Sequence, residues 1–314
     1  HYRTRAEDNR ISLVPIVPNR GVIVDRNGMV LARNYSAYTL EITPGKVADL
    51  EAVINELAGV IDIQPKDRKR FRKLLEESKN FESLPIRTRL SDEEVARFIA
   101  RRFRFPGVEI KARLFRQYPQ GELASHALGY IGRVNDRDLG TIERNNAEDN
   151  YRGTEHFGKT GLEQKYEFEL HGQTGFEQVE VEASGRAVRV LERTPPLPGN
   201  NLLLTLDARL QQVVEKAFGK RRGALVAIDP SNGGILALVS MPGYDPNLFV
   251  DGINSQDWEI LNTSEDKPMV NRALNGAYPP GSTFKPFMAL GALEIGKRTP
   301  QQSISDPGFF YFGG

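Results

Sequence analysis

The sequence has no cysteine and a single tryptophan in 314 residues. Without cysteine there is no disulfide and no thiolate metal site. Its four histidines, His1, His126, His156 and His171, show no short ligand spacing, so they read as surface or locally satisfied groups and no metal site is expected. No apolar run approaches the ~18–20 residues of a membrane span, and no signal peptide is present. Charge of one sign is also missing, with 42 Lys+Arg against 41 Asp+Glu. That balance gives no electrostatic argument for nucleic acid or for a strongly acidic partner. Internal repeats and low-complexity tracts are absent too.

What is present fills two or more domains. The first ten residues, His1 to Arg10, are polar and basic. Residues just outside a removed anchor look like this, and so does an arbitrary boundary. Residues 11–44 alternate apolar and polar in short runs. Asp25-Arg26-Asn27-Gly28 sits between two of these runs, and Asn-Gly in that position signals a hairpin. Residues 45–105 read as helical, with Leu50, Val53, Ile54, Leu57 and Ala58 on one face and a capping box at Ser91. Strand and loop are expected over 106–134, and an exposed polar loop over 135–157.

A short helix is expected at Gly161–Leu170 and a strand at Phe176–Val181. Thr194 to Gly199, with three prolines, reads as a stiff boundary. Asp207 is placed to cap a helix with an apolar face of Leu210, Val213, Val214, Ala217 and Phe218. Ala224–Ile228 and Ile235–Val239 read as two strands joined by Asp229–Gly234.

The chemistry-bearing stretch is Tyr278-Pro279-Pro280-Gly281-Ser282-Thr283-Phe284-Lys285-Pro286. Prolines and a glycine break the chain, and an apolar helix is expected from Ser282 through Ile295. On a helix, Ser282 and Lys285 share a face, roughly 5–6 Å apart at Cβ. A serine hydroxyl becomes a useful nucleophile when a neighbouring base takes its proton. Lysine fills that role when desolvation or a nearby cation favours its neutral form. The helix N-terminus adds N–H groups suited to an oxyanion. Alone, Ser-x-x-Lys also fits an N-capping serine followed by a solvated lysine.

Other short motifs occur in a fixed order with it. They are Arg20 to Gly28 followed by Leu31-Ala32, Phe105 to Val108, His126 to Tyr130, Gly158 to Glu163, Gly223 to Val239, and Tyr244 to Asn247. Together with Tyr278 to Pro286 they cover almost the whole chain, and the order resembles a class B penicillin-binding protein of the elongation type. The resemblance implies an α+β fold: a β-rich pedestal with a mixed α/β head, then the start of a penicillin-binding, transpeptidase-like domain. Residues 1–44 and 151–220 are expected to form the pedestal anchor region and 45–150 the head. Residues 221–314 are expected to be the N-terminal, incomplete part of the transpeptidase domain.

By the same resemblance the full-length enzyme cross-links peptidoglycan stem peptides through a serine acyl-enzyme, and β-lactams acylate that serine. Ser282 then matches the nucleophile and Lys285 the base. No cofactor is implied for this segment. The implied partners are a RodA-like glycosyltransferase of the SEDS type and an MreC-like scaffold. The implied location is the periplasmic side of the inner membrane, through an N-terminal anchor that this sequence lacks.

The family's second and third motifs, Ser-x-Asn and Lys-Ser/Thr-Gly, do not follow Ser282 here. Ser78-Lys79-Asn80 is a chance match in the helical region. Lys159-Thr160-Gly161 lies upstream in the pedestal and is rejected as catalytic. These 314 residues are therefore expected to be inactive on their own. Gly153 to Thr160 also spells a P-loop, but the residues before it are polar where a P-loop needs a buried strand, so nucleotide binding is rejected. Two alternatives stay open: a non-catalytic pedestal module that docks cell-wall synthesis partners, and a penicillin-sensing or hydrolysing relative such as a β-lactamase. The long pedestal argues against the latter.

Overall fold

A computed structural model describes residues 11–77, 82–181, 187–303, 305–309 and 312. Residues 78–80, with their chance motif, lie outside the described residues. The elements run β1 (Ile11–Ile16), β2 (Ile23–Val24), β3 (Val30–Ile42), α1 (Leu50–Leu57), α2 (Pro65–Glu77), β4 (Leu84–Leu90), α3 (Asp92–Ile99) and β5 (Val108–Gln117). There follow α4 (Ser125–Leu128), β6 (Ile131–Arg133), α5 (Asp136–Arg144), β7 (His156–Gly158), α6 (Gly161–Lys165) and α7 (Glu167–His171). Next come β8 (Gly172–Gln173), β9 (Gly175–Val181), β10 (Ala187–Thr194), β11 (Leu197–Pro198) and β12 (Leu202–Leu203). The series continues with α8 (Ala208–Phe218), β13 (Gly223–Ile228), β14 (Ile235–Met241) and α9 (Ser255–Thr263), and α10 (Lys285–Glu294) lies further on. The fold is α+β, and it separates into one unit up to Ala273 and a second from Leu274.

In the first unit β3 is the spine. It pairs with β2 at its start and with β4 and β5 along its two edges further on. Its two ends belong to different cores. Leu31 and Ala32 pack with Ile23, Tyr118, Leu128, Leu170 and Leu206. Leu40 and Ile42 pack with Ile54, Leu57, Phe71, Ile86, Phe98 and Phe105 in the head. The Asn-Gly hairpin forms as expected: Gly28 takes φ 85° and its N–H donates to the Asp25 carbonyl at 3.0 Å. β1 joins a separate antiparallel sheet with β9 and β10.

Three expectations need correction. The head is not continuously helical over 45–105, because β4 interrupts it. Leu84, Pro85, Ile86 and Leu90 of β4 are buried, a packing on β3 that outweighs helical periodicity. Residues 135–157 are not one polar loop. Asn135 and Asp138 form a reciprocal capping box that starts α5, and Ile142 buries against Tyr151 and Phe157. The 161–170 helix is two short helices that divide at Tyr166, where φ is −109°.

Other expectations stand. Ser91 and Glu94 form the predicted capping box on α3. Asp207 accepts from Arg209 and Leu210 N–H at the start of α8. β13 and β14 form the predicted hairpin. By contrast, the proline stretch 194–199, expected to be a stiff boundary, lies inside the first unit, with Leu197 and Pro198 pairing to Gln173 and Gly172.

Candidate active site

In the second unit, Tyr278, Pro279 and Pro280 lead into Gly281, whose φ of 56° turns the chain. Gly281–Phe284 form one 3-10 turn, and the α-helix itself begins at Lys285. The sequence expected the helix to open at Ser282. The tighter turn comes first because Thr283 N–H donates to the Pro280 carbonyl at 3.3 Å and its hydroxyl donates to the same oxygen. Lys285 N–H donates to the Ser282 carbonyl. The backbone thus closes a ring that stacks Lys285 one turn above Ser282, the adjacency the spacing called for.

Pro286 lies in the first turn of α10, where a missing N–H costs no helical bond. Both Ser282 and Lys285 are exposed. α10 is apolar around its circumference: Phe287, Met288 and Leu290 are each more than 60% exposed. A helix with this composition suits an interior position.

In the first unit the structure explains three motifs whose role the sequence left open. Glu163 is fully buried and holds two guanidinium groups. Arg20 Nε donates to its Oε2 at 2.8 Å and Arg116 Nε to its Oε1 at 2.8 Å. Arg20 also reaches Glu167 Oε2 at 2.7 Å, and Arg116 donates to the Gly21 carbonyl at 2.6 Å. Tyr118 Oη closes the network on Glu163 at 3.2 Å.

Burial pushes the Glu163 carboxyl up, but Arg116 and Arg20 outweigh it and hold it below its ordinary value. Glu167, buried with Arg20 alone as cation, is pushed up by burial. The Gly158–Glu163 motif is therefore an ionic lock for the pedestal. It is no phosphate loop: residues 156–158 are strand β7, and Lys159 pairs with Asp138.

Asp25 plays a similar part at the hairpin. Its carboxylate accepts from Asn27, Met29 and Ala208 N–H at 2.7–2.9 Å, fixing the hairpin to the start of α8. Burial raises its proton affinity and these donors more than reverse that.

The Tyr244–Asn247 motif works as a joint. Asp245 caps the 3-10 turn Pro246–Phe249, and Asn247 bonds both the N–H and the carbonyl of Tyr118 at 2.9 Å. Tyr244 meets His126 edge-on at 5.1 Å, and the His126 Nε2 lies 2.7 Å from the Pro268 carbonyl. His171 pairs instead with Thr154 at 2.8 Å. Among the described residues, no group of three or more His, Asp or Glu is placed to hold a metal.

Two family models cover the chain. The penicillin-binding protein dimerisation domain matches residues 15–204, and the penicillin-binding protein transpeptidase domain matches 223–313. The peptidoglycan D,D-transpeptidase MrdA of Escherichia coli strain K12 is 45% identical over 313 residues, taking in 100% of this chain and 49% of that protein. The Helicobacter pylori penicillin-binding protein PBP2, solved in complex with MreC, superposes with a TM-score of 0.79 at 30% identity, covering 96% of this chain and 56% of that one. Pseudomonas aeruginosa PBP2, solved in complex with WCK 5153, gives 0.62 at 34% identity, covering 96% of this chain and 46% of that one. The chain thus spans about half the length of the curated relatives it matches. With a dimerisation domain leading into a transpeptidase domain, it belongs to the penicillin-binding proteins.

Proposed function

We propose that this chain is the pedestal and the opening part of the catalytic domain of a peptidoglycan D,D-transpeptidase acting in cell elongation. The observation that carries the reading is the 3-10 turn that stacks Lys285 on Ser282, inside the residues matched by the transpeptidase model. Ser282 Oγ attacks the carbonyl carbon of the penultimate D-alanine of a stem peptide. Lys285 takes the hydroxyl proton, and the terminal D-alanine leaves as that proton is delivered to its nitrogen. An amine of a second stem peptide then attacks the acyl-enzyme and frees Ser282. β-Lactams react at the same hydroxyl. The domain division follows the same reading, with anchor (1–44, 151–220), head (45–150) and catalytic start (221–314).

The partners and location belong to this proposal. An MreC-like scaffold is supported by the H. pylori complex, and a RodA-like glycosyltransferase supplies the strands to be cross-linked. The head carries the physical mark of a docking site, with Phe103 85% and Ile99 60% exposed. The substrate places the protein at the periplasmic side of the inner membrane. Among the described residues no helix is long and apolar enough to cross a membrane.

Labelling of the full-length protein with a fluorescent penicillin tests the enzyme reading. Signal in the parent that is lost in Ser282→Ala supports it. A folded parent without signal leaves the docking module. Ile99→Ser with Phe103→Ser, both on the head surface, is expected to abolish co-purification with the scaffold while sparing labelling.

A further inference from the structure

The near-balance of charge over the whole chain hides a local excess. Six of the eight residues from Lys66 to Lys73 are Lys or Arg. They fall in α2, whose inner side builds the head core: Phe71 is fully buried, and Leu74 and Leu75 pack against the same cluster. Arg70 serves that inner side. Its side chain is 14% exposed, pairs with Asp67 at 3.5 Å and donates to the Ile86 carbonyl at 3.0 Å. The other five cations lie on the outer side, four exposed and Arg68 half-buried.

Their order is unfavourable for the helix alone. Arg68 and Arg72 are like charges one turn apart, and so are Lys69 and Lys73. Lys66 and Arg68 lie in the first turn, where the macrodipole favours anions. A face built only for solubility sets opposite charges at that spacing. Here Arg68, Lys69, Arg72 and Lys73 line a groove of about 550 Å³, with Pro65 at one end and Glu76, the single acid among its lining residues, at the other. Two guanidinium groups are held in place from α1. Arg68 Nη1 donates to Asn55 Oδ1 at 2.7 Å and Arg72 Nη2 to Glu51 Oε1 at 3.0 Å. Each bond engages one N–H and leaves the rest of the fork for a ligand.

At 1.5 Å per residue the groove runs about 16 Å from Pro65 to Glu76, the length of about five extended residues. It suits a short extended chain bearing several anions. The large apolar side chains of α2 are turned into the core, so the helix has nothing to insert into lipid, and a membrane surface is the poorer fit. Stem peptides of peptidoglycan are short, extended and rich in carboxylates.

We infer that the outer face of α2 is a second binding surface for peptidoglycan, which holds the carboxylates of a stem peptide on the head. The identity of the polymer rests on the transpeptidase reading. Arg68 and Arg72 receive carboxylates through their N–H forks, and Lys66, Lys69 and Lys73 add positive charge around them.

The test uses the full-length protein, first acylated with benzylpenicillin so that Ser282 is blocked. It is then titrated by fluorescence anisotropy with fluorescein-labelled, uncross-linked peptidoglycan strands. Binding is expected, and it should weaken as salt is raised. Lys66→Gln with Lys69→Gln should weaken it roughly five- to thirtyfold, the range of one to two exposed charge pairs. The matched control Lys216→Gln with Lys220→Gln, at the end of α8, should leave it unchanged. All four lysines are exposed, so folding is not at stake. Strands whose carboxylates are converted to amides should lose binding as well. Penicillin labelling of the same variants is read separately and should be unchanged, so failure of this inference is distinguishable from failure of the transpeptidase reading. Equal binding by the parent and the Lys66, Lys69 variant would overturn the inference. So would undiminished binding of amidated strands, or binding to phosphatidylglycerol vesicles without binding to strands.

Discussion

Glu163→Gln is the sharpest probe of how the pedestal is held together. The carboxylate is fully buried and neutralises two guanidinium groups, Arg116 at 2.7 Å and Arg20 at 2.8 Å. Glutamine keeps the shape and removes the charge. Arg20 is then left with Glu167, and Arg116 with the Gly21 carbonyl, inside a core. Breaking a buried ion pair by removing one partner costs about 3–5 kcal/mol. Glu51→Gln is the internal control, because its pair with Arg72 is 55% and 64% exposed and an exposed pair is worth at most about 1 kcal/mol. Urea unfolding of both variants, read by far-UV circular dichroism, gives the comparison. Glu163→Gln should lower the midpoint several times more than Glu51→Gln with an unchanged slope. Equal effects of the two substitutions would refute the claim that this motif locks the pedestal.

Other predictions concern pH, backbone and chemistry. Burial pushes the His171 imidazole down to about 4, and the nearby Arg20 adds to the effect. A folded pKa below the unfolded value near 6.5 means that His171 contributes stability above pH 6.5, lost as pH falls toward 4. At about 1.4 kcal/mol per pH unit the loss is about 3 kcal/mol, and His171→Gln should flatten it in unfolding curves across that range. Gly129 sits at φ 73° with the Thr160 carbonyl oxygen 1.8 Å from where a Cβ would be, so Gly129→Ala should cost more than about 2 kcal/mol in the same assay. Lys285→Arg keeps a cation but does not readily give up its proton. Penicillin acylation of the full-length variant, followed by stopped-flow, should slow by roughly 10²–10⁴-fold.

Much of the fold was legible where local signals decide. Asn27-Gly28 gave its hairpin, Asp207 its helix start, and Ser91 with Glu94 its capping box, because each signal acts within a few residues. β4 was obscured because Leu84, Ile86 and Leu90 carry an apolar pattern that only pairing with β3 turns into a strand. α5 was missed although Asn135 and Asp138 spell its cap, since its apolar content is little more than Leu139 and Ile142. The Arg20–Glu163 contact spans 143 positions, and no spacing rule reaches that far. The adjacency of Ser282 and Lys285 was legible because they lie three positions apart. The 3-10 geometry was not, because it depends on how Thr283 bonds back to Pro280.

The central claim is that Ser282 carries the acyl group. Treating the full-length protein with benzylpenicillin, digesting it and mapping the adduct by tandem mass spectrometry tests that claim without relying on turnover. The account predicts a single penicilloyl adduct on Ser282, absent from Ser282→Ala. An adduct on any other serine, or labelling that survives in Ser282→Ala, would contradict it.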